Sequence, residues 1–386
     1  EPIVIELEDA HWLDENSQEL LQELIRHLNE FPILLLITSR YRDDGSKPVI
    51  LERELLDAGN IPWMELNLNF LQPEAVRALA EDKLQGPIHD EFYESLIRTT
   101  NSNPFYLGQL LEYFSERDLL VQANGVWNIK DKNIRLSTSI NAILMARIDR
   151  LSNLVKETVK AAAVIGREFE VPILTEVMLS HEGFSEGNGR PHELLNEQIS
   201  QAERGQIWMA MNELRYIFRH SLLGEAAYSM QLRTRLQQLH QQIGEAIERL
   251  YGESLEERYI DLAFHYEQAD AYEKTCEYLR KAADYARRNY QNHQALEFYD
   301  KLLRKLSTGK RDTHKVHTLV KRGKILEMIG QWDESEASFK EALQLAKKSR
   351  DAQQLGRVYN SLGRLLTLKG DYVSARDFLQ RAVQLF

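Results

Sequence analysis

The feature that most limits the possible folds is a 40-residue period in the C-terminal third of the chain. Ala295, Ser335 and Ala375 stand one period apart, as do Tyr299, Phe339 and Leu379, and again Leu302, Ala342 and Ala382. Gly323 recurs as Gly363, with Ala283 one period earlier, and Gly330 recurs as Gly370. Those last two glycines lead into Gln331-Trp332-Asp333 and Asp371-Tyr372-Val373. A small residue at a fixed place lets the two helices of a hairpin approach closely, and a large apolar one fills the next groove. Generic amphipathic helices keep a 3.6-residue pattern but have no reason to hold three positions in phase over three periods. The spacing predicts paired helices over 255–386, stacked as an α-solenoid that binds a protein or peptide and carries no chemistry. Residues 263–286, with Tyr266, Tyr272 and Leu279, read as an earlier imperfect unit, out of phase. Tyr259, Tyr266, Tyr285, Tyr290 and Tyr299 read as packing between helices, with anchoring of a partner as the competing role. The chain reaches Phe386 straight after an apolar helix, so a longer parent protein with a polar capping helix is expected.

The N-terminal end predicts different chemistry. Ile3, Val4, Ile5 and Leu7 form a mostly apolar strand that ends in Glu8 and Asp9. In an open α/β sheet, ligands bind outside the carboxyl ends of the strands. Paired carboxylates there could hold Mg²⁺ on a nucleotide or polarise a water. A helix follows over 15–29, with Asp14 as its cap and Leu20, Leu21, Leu24, Ile25 and Leu28 as its apolar face. Residues 31–37 (FPILLLI) then give a second strand, expected to be buried on both faces. It ends in Thr38, Ser39 and Arg40. A right-handed crossover puts the two strands side by side, so Glu8, Asp9, Thr38 and Arg40 share one edge. Arg40 suits a terminal phosphate, and Thr38 a water or a carboxylate. The competing reading is an ion-pair cluster that caps the sheet. Residues 63–68 (WMELNL) alternate like a further short strand.

The middle of the chain reads as helical. Helices are expected over 73–85, 88–99 and 104–116, with Asn103 and Pro104 at the start of the third. That turn either holds a lid against a nucleotide or simply begins a helix. A small hairpin is expected within 119–136. Helices over 139–151, 152–165, 171–180 and 191–204, with a hairpin from 207–209 to 214–218, make a winged-helix-like unit. Residues 181–190 are glycine-rich and polar, and are expected to be mobile. DNA recognition would need Arg and Lys toward bases and phosphates. The second half of this unit offers mainly Glu193, Glu197, Gln198, Glu203 and Arg204, and the net charge is −11, so nucleic acid is not an expected partner. His220 has neither a cysteine nor an identified serine–acid pair near it and reads as structural. Cys276 is the single cysteine, which rules out an intrachain disulfide framework and fits a reducing, cytoplasmic setting. No run of 18 apolar residues occurs, so no membrane contact is expected.

Taken in order, these segments resemble the signal-transduction ATPases with numerous domains, the STAND class of AAA-related NTPases. The likeness is to the branch that joins cyclase, kinase or LuxR-type regulator domains to tetratricopeptide repeats. Residues 3–14, with Glu8-Asp9-Ala10-His11-Trp12-Leu13-Asp14, resemble its Walker B segment. Ile37-Thr38-Ser39-Arg40 resembles its sensor 1 segment, and 101–106 (NSNPFY) its lid turn, with Ser102 where glycine is usual. Residues 146–151 and 161–166 resemble the start of its winged helix, and Phe218-Arg219-His220 with 225–228 and 235–240 its link into the repeats. The resemblance implies that Glu8 supports Mg²⁺, with Asp9 contributing indirectly. It implies that Asp9 positions or activates water, that Arg40 lies near the terminal phosphate with Thr38 beside it in the cofactor-binding segment, and that Asn103 and Pro104 pack by the adenine and sugar.

The implied architecture is multidomain α/β plus α. The second half of a P-loop NTPase core covers 1–68, a helical lid 69–135, a winged-helix-like domain 136–220, a helical linker 221–254, and tetratricopeptide-like repeats 255–386. The Gly-rich phosphate loop with its Lys-Ser/Thr is absent from the 386 residues. The chain therefore reads as a fragment of an ATP/ADP-dependent switch whose effector lies elsewhere. The parent is expected to be a slow Mg-dependent ATPase. This chain alone, without the N-terminal half of the core, is expected to be inactive and to hold no nucleotide tightly. The competing reading is a non-catalytic repeat scaffold with a degenerate nucleotide core.

Overall fold

The computed structural model describes residues 2–40, 56–57, 59–66, 68, 71–130, 140–179, 191–252, 254–306, 312–349 and 351–385. The chain is mostly helical, with small sheets. It divides into two compact units, Glu1–Leu107 with Gln122–Asn128, and Gly108–Val121 with Ile129–Phe386.

The first unit opens with β1 (Ile3–Leu7), α1 (Glu15–Arg26) and β2 (Ile33–Ile37). The strands pair in parallel, from Ile3 opposite Ile33 to Leu7 opposite Ile37. Asp14 caps α1, its carboxylate accepting from the Ser17 N–H at 2.7 Å. Leu21 and Ile25 of α1 bury against Leu56, with Leu7, Leu35 and Ile37 packed on them. The other sheet face is open. Val4 is 66% exposed, Leu34 62% and Leu36 49%. The expectation that 31–37 would be buried on both faces is therefore corrected. Among the described residues α1 covers one face, and a continuous apolar run does not reveal that asymmetry.

Residues 61–66 are a second correction, since they form no strand and Met64 and Leu66 are exposed. Alternation alone does not make a strand; it needs an edge to pair with, and among the described residues the sheet has two strands. Helices α2 (Pro73–Leu84), α3 (Asp90–Thr100) and α4 (Pro104–Glu116) follow where the apolar spacing places them. A hairpin of β3 (Leu120–Ala123) and β4 (Val126–Ile129) turns through Asn124 and Gly125. Their φ values are 54° for Asn124 and 79° for Gly125, the pair of positive angles that a two-residue hairpin requires.

The second unit continues with α5 (Ile140–Asp149), α6 (Asn153–Ile165), β5 (Glu168–Glu170), α7 (Val171–Leu179) and α8 (Pro191–Arg204). Then come β6 (Trp208–Asn212) and β7 (Arg215–Phe218), which pair antiparallel, with β5 on the other edge of β7. Phe169, Trp208 and Phe218 pack as one aromatic core, with Phe169 and Trp208 ring centres 4.9 Å apart. The Trp208 indole N–H donates to the Ile199 carbonyl at 3.1 Å, so this buried ring leaves its polar atom paired. The expected mobile stretch 181–190 lies outside the described residues.

Helices α9 (Ser221–Ser229) and α10 (Arg233–Leu250) lead to α11 (Tyr259–Gln268). Glu170 of β5 ties this junction together, accepting from Tyr251, Arg258 and Arg215. Burial pushes the Glu170 carboxyl up, and the bonds from Tyr251 and Arg258 outweigh it and hold the group ionised.

Three hairpins complete the unit. They are α12 (Tyr272–Arg288) with α13 (Asn292–Leu306), α14 (Asp312–Met328) with α15 (Trp332–Ser349), and α16 (Ala352–Leu368) with α17 (Tyr372–Val383). Equivalent helices begin one 40-residue period apart, at 272, 312 and 352 and at 292, 332 and 372. A Cβ on Gly323 would collide with the Phe339 ring, and one on Gly363 would meet Leu379 Cγ at 2.6 Å. The small residues thus bring each helix pair together, as the period predicts. Tyr266 and Tyr299 are core, whereas Tyr290 is 80% exposed.

Candidate functional site

Two arrangements carry functional potential, one in each unit. The first is the carboxyl edge of β1 and β2. Thr38 fastens the end of β1 with three bonds. Its N–H donates to the Leu7 carbonyl at 2.9 Å, and its carbonyl accepts from the Ala10 N–H at 2.8 Å. Its hydroxyl accepts from the Asp9 N–H at 3.1 Å. Asp9 takes a left-handed backbone, φ 52° and ψ 42°, which turns the chain sharply off the strand. Few L-residues adopt that conformation, and aspartate is among those that do so most readily.

The turn aims the Asp9 carboxylate at Arg40, with Oδ1 3.9 Å from Nε. His11 lies on the same side, its Nδ1 4.0 Å from that oxygen and accepting from the Arg40 N–H at 3.4 Å. The structure therefore brings Asp9, Thr38 and Arg40 together at one edge, with Glu8 beside them and exposed. His11 belongs to the same cluster and was missed in the sequence. The only signal for it was its place two residues after Asp9.

Asn103 and Pro104 sit at another point of the unit. The Asn103 side chain accepts from the Tyr106 N–H at 2.9 Å and its carbonyl from the Leu107 N–H at 2.9 Å, so it caps α4. Pro104 occupies the first helical position, where its missing N–H costs nothing. Asn101 and Ser102 both have positive φ, and the Ser102 carbonyl accepts from the Leu71 N–H at 2.9 Å. The residue that stands in place of glycine thus keeps the left-handed turn that glycine would favour.

The second arrangement is the helical array. Residues 316–386 match the tetratricopeptide repeat family. The protein contains tetratricopeptide repeats. An uncharacterized protein of Rhizobium meliloti (strain 1021) is 28% identical over 291 residues, 71% of this chain and 25% of the relative. The chain thus spans about a quarter of the length of that curated relative. Among solved structures, a STAND protein with a tetratricopeptide repeat sensor from Pyrococcus horikoshii aligns over 99% of this chain and 68% of its own, at 14% identity and a TM-score of 0.35. BtubC from P. vanneervenii aligns over 63% of this chain and 90% of its own, at 15% identity and a TM-score of 0.33.

Such repeats mediate protein–protein interaction, because stacked helical hairpins present an extended surface and no reactive group. The chemistry of the strand edge is of another kind. Among the described residues no group of three or more His, Cys, Asp and Glu side chains could hold a metal by itself. Glu8 and Asp9 are two accessible carboxylates at the end of one strand, which suits a Mg²⁺ ion that takes its remaining oxygens from water and phosphate. Among the described residues, no helix is long and apolar enough to cross a membrane.

Proposed function

We propose that this chain is the downstream part of a nucleotide-dependent signalling switch whose tetratricopeptide repeats bind a partner protein. The observation that carries the nucleotide reading is the convergence of Asp9, Thr38 and Arg40 at the carboxyl edge of a parallel strand pair. The order of the motifs along the chain supports it. In this reading Glu8 and Asp9 hold Mg²⁺, which supplies charge neutralisation on the phosphates when it is bound. Asp9 orients water, Thr38 fixes the Asp9 backbone, and Arg40 binds the terminal phosphate. Asn103 and Pro104 hold the lid turn beside the base. A winged-helix-like module over 136–220 comes between this core and the repeats in the order of the sequence.

Titration of the full-length protein with a fluorescent ADP in the presence of Mg²⁺ tests the reading. Saturable binding that weakens about tenfold or more in Arg40→Ala is expected, since a charge-assisted contact is removed. Undetectable nucleotide binding would leave only the repeat scaffold.

A further inference from the structure

Where the chain passes from the β5–β7 sheet into the helical array, residues of α6, β5, α7, β7 and α10 to α13, with Arg258, line a cavity of about 510 Å³. That size suits a small organic molecule. Most of its charged lining is already paired. Glu170 accepts from Arg258 and Arg215, Asp261 lies 3.4 Å from Arg258, and Glu267 lies 3.1 Å from Lys305. Two charged groups of the lining have no ion pair among the described residues, Lys301 of α13 and the exposed Glu168 of β5. The Lys301 ammonium sits 5.8 Å from the centre of the Phe298 ring. Apolar side chains also stand open here. Phe264 is 49% exposed, and Ile260, one turn before it on α11, is 37% exposed.

A buried donor belongs to the same lining. His265 is 3% exposed and lines the cavity. Its Nδ1 is taken by His240 Nδ1 at 2.9 Å, and among the described residues nothing bonds its Nε2. The proton positions follow from the end of this chain. The Tyr228 hydroxyl has one proton and one hydrogen-bond partner, His240 Nε2, at 3.1 Å. A hydroxyl with a single partner donates to it, so His240 carries its proton on Nδ1 and donates to His265 Nδ1. His265 then holds its own proton on Nε2, since burial favours the neutral ring. The relay Tyr228–His240–His265 thus leaves one buried N–H without an acceptor.

We propose that this cavity binds a small apolar molecule bearing one carboxylate, with His265 Nε2–H and the Lys301 ammonium donating to its oxygens and its body lying on Ile260 and Phe264. The lining supplies what such a ligand needs: a fixed donor, a free cation and open apolar surface. An aromatic body suits the half-exposed Phe264 ring. An amine would choose Glu168 instead and would leave the His265 N–H without an acceptor. The inference does not rest on the nucleotide reading, and it adds a small-molecule input where the chain enters the repeats.

The test is calorimetric titration of the full-length protein with 4-phenylbutanoate, 4-phenylbutan-1-ol and 4-phenylbutan-1-amine, which share one body. The carboxylate is expected to bind saturably, at least about tenfold more tightly than the alcohol or the amine. Lys301→Glu should lose at least about tenfold for the carboxylate, and Lys301→Arg should retain it. Phe264→Ala should weaken the carboxylate and the alcohol together. Tyr228→Phe removes the proton that sets the relay. It should weaken the carboxylate severalfold and leave the alcohol unchanged, because a hydroxyl can either donate or accept. Unchanged thermal midpoints check that the variants are folded. Failure of the carboxylate to bind, or binding that survives Lys301→Glu, overturns the site. Tightest binding by the amine overturns it in favour of recognition by Glu168. Equal loss of carboxylate and alcohol in Tyr228→Phe, or no loss of either, overturns the part given to the relay.

Discussion

At the scale of single residues, Asp9 is where conformation and proposed chemistry meet. Its left-handed backbone is fixed from outside by the Thr38 hydroxyl. Backbone strain of this kind persists where the surroundings over-determine it, often at sites that need one fixed geometry. Asp9→Asn keeps the size and tolerates the turn, so in the full-length protein we expect nucleotide binding largely intact and turnover lowered at least about tenfold, read by phosphate release. A parental rate would remove Asp9 from the mechanism. Tyr290 makes a contrasting case. It holds φ 61° at the hairpin turn where Gly330 has 81° and Gly370 has 83°. Gly330→Ala should therefore cost about 1 kcal/mol, whereas Tyr290→Gly should be neutral or stabilising by up to about 1 kcal/mol, both read from chemical denaturation.

The strand-end cluster was legible because a short strand–helix–strand run fixes which chain ends meet. The twist of Asp9 and the part played by His11 were not, since both depend on hydrogen bonds across 29 residues.

At the scale of elements, the repeats were the most legible part of the chain because their period is written into side-chain size. Gly323 faces Phe339 and Gly363 faces Leu379 across each hairpin, and Ser335 Oγ donates to the Gly323 carbonyl at 2.7 Å. Gly323→Ala should destabilise the protein by about 1–3 kcal/mol, because the added Cβ would collide with the fully buried Phe339 ring. A loss much below that in urea denaturation would contradict the close helix approach. Elements held by distant pairing were harder to read. Strand β5 has three residues and takes its place only by pairing with β7, so no local pattern announces it. The exposed face of β2 and the coil at 61–66 differ from expectation for the same reason, since each depends on what lies alongside and not on its own residues.

At the scale of the whole molecule, the junction into the repeats makes stability depend on pH. His240 and His265 are buried, with their Nδ1 atoms 2.9 Å apart, and the Tyr228 hydroxyl lies 3.1 Å from His240 Nε2. The contact between the two nitrogens requires one to donate and the other to accept, so the two rings cannot both be protonated, and their burial favours the neutral form of each. Burial pushes His240 down to about 4 from 6.5, and His265 is lowered too, by burial and then by His240. The unfolded chain therefore binds protons that the folded one excludes. The contribution to stability is complete above about pH 6.5 and is lost as pH falls toward 4, on the order of 2 kcal/mol by about pH 5. Denaturation midpoints taken across that range should fall with acid, and His240→Gln/His265→Gln should flatten the dependence. A wild-type midpoint that is level over the same interval would contradict the neutral pair.

The central claim concerns the other unit, and hydrogen exchange addresses it at the residues named. The full-length protein is compared with and without Mg²⁺ and ADP, and the amides of 8–11 and 38–40 are followed. The account predicts that nucleotide slows exchange at both segments together, because they form one edge. Unchanged exchange at both, under conditions where nucleotide is bound, would contradict it.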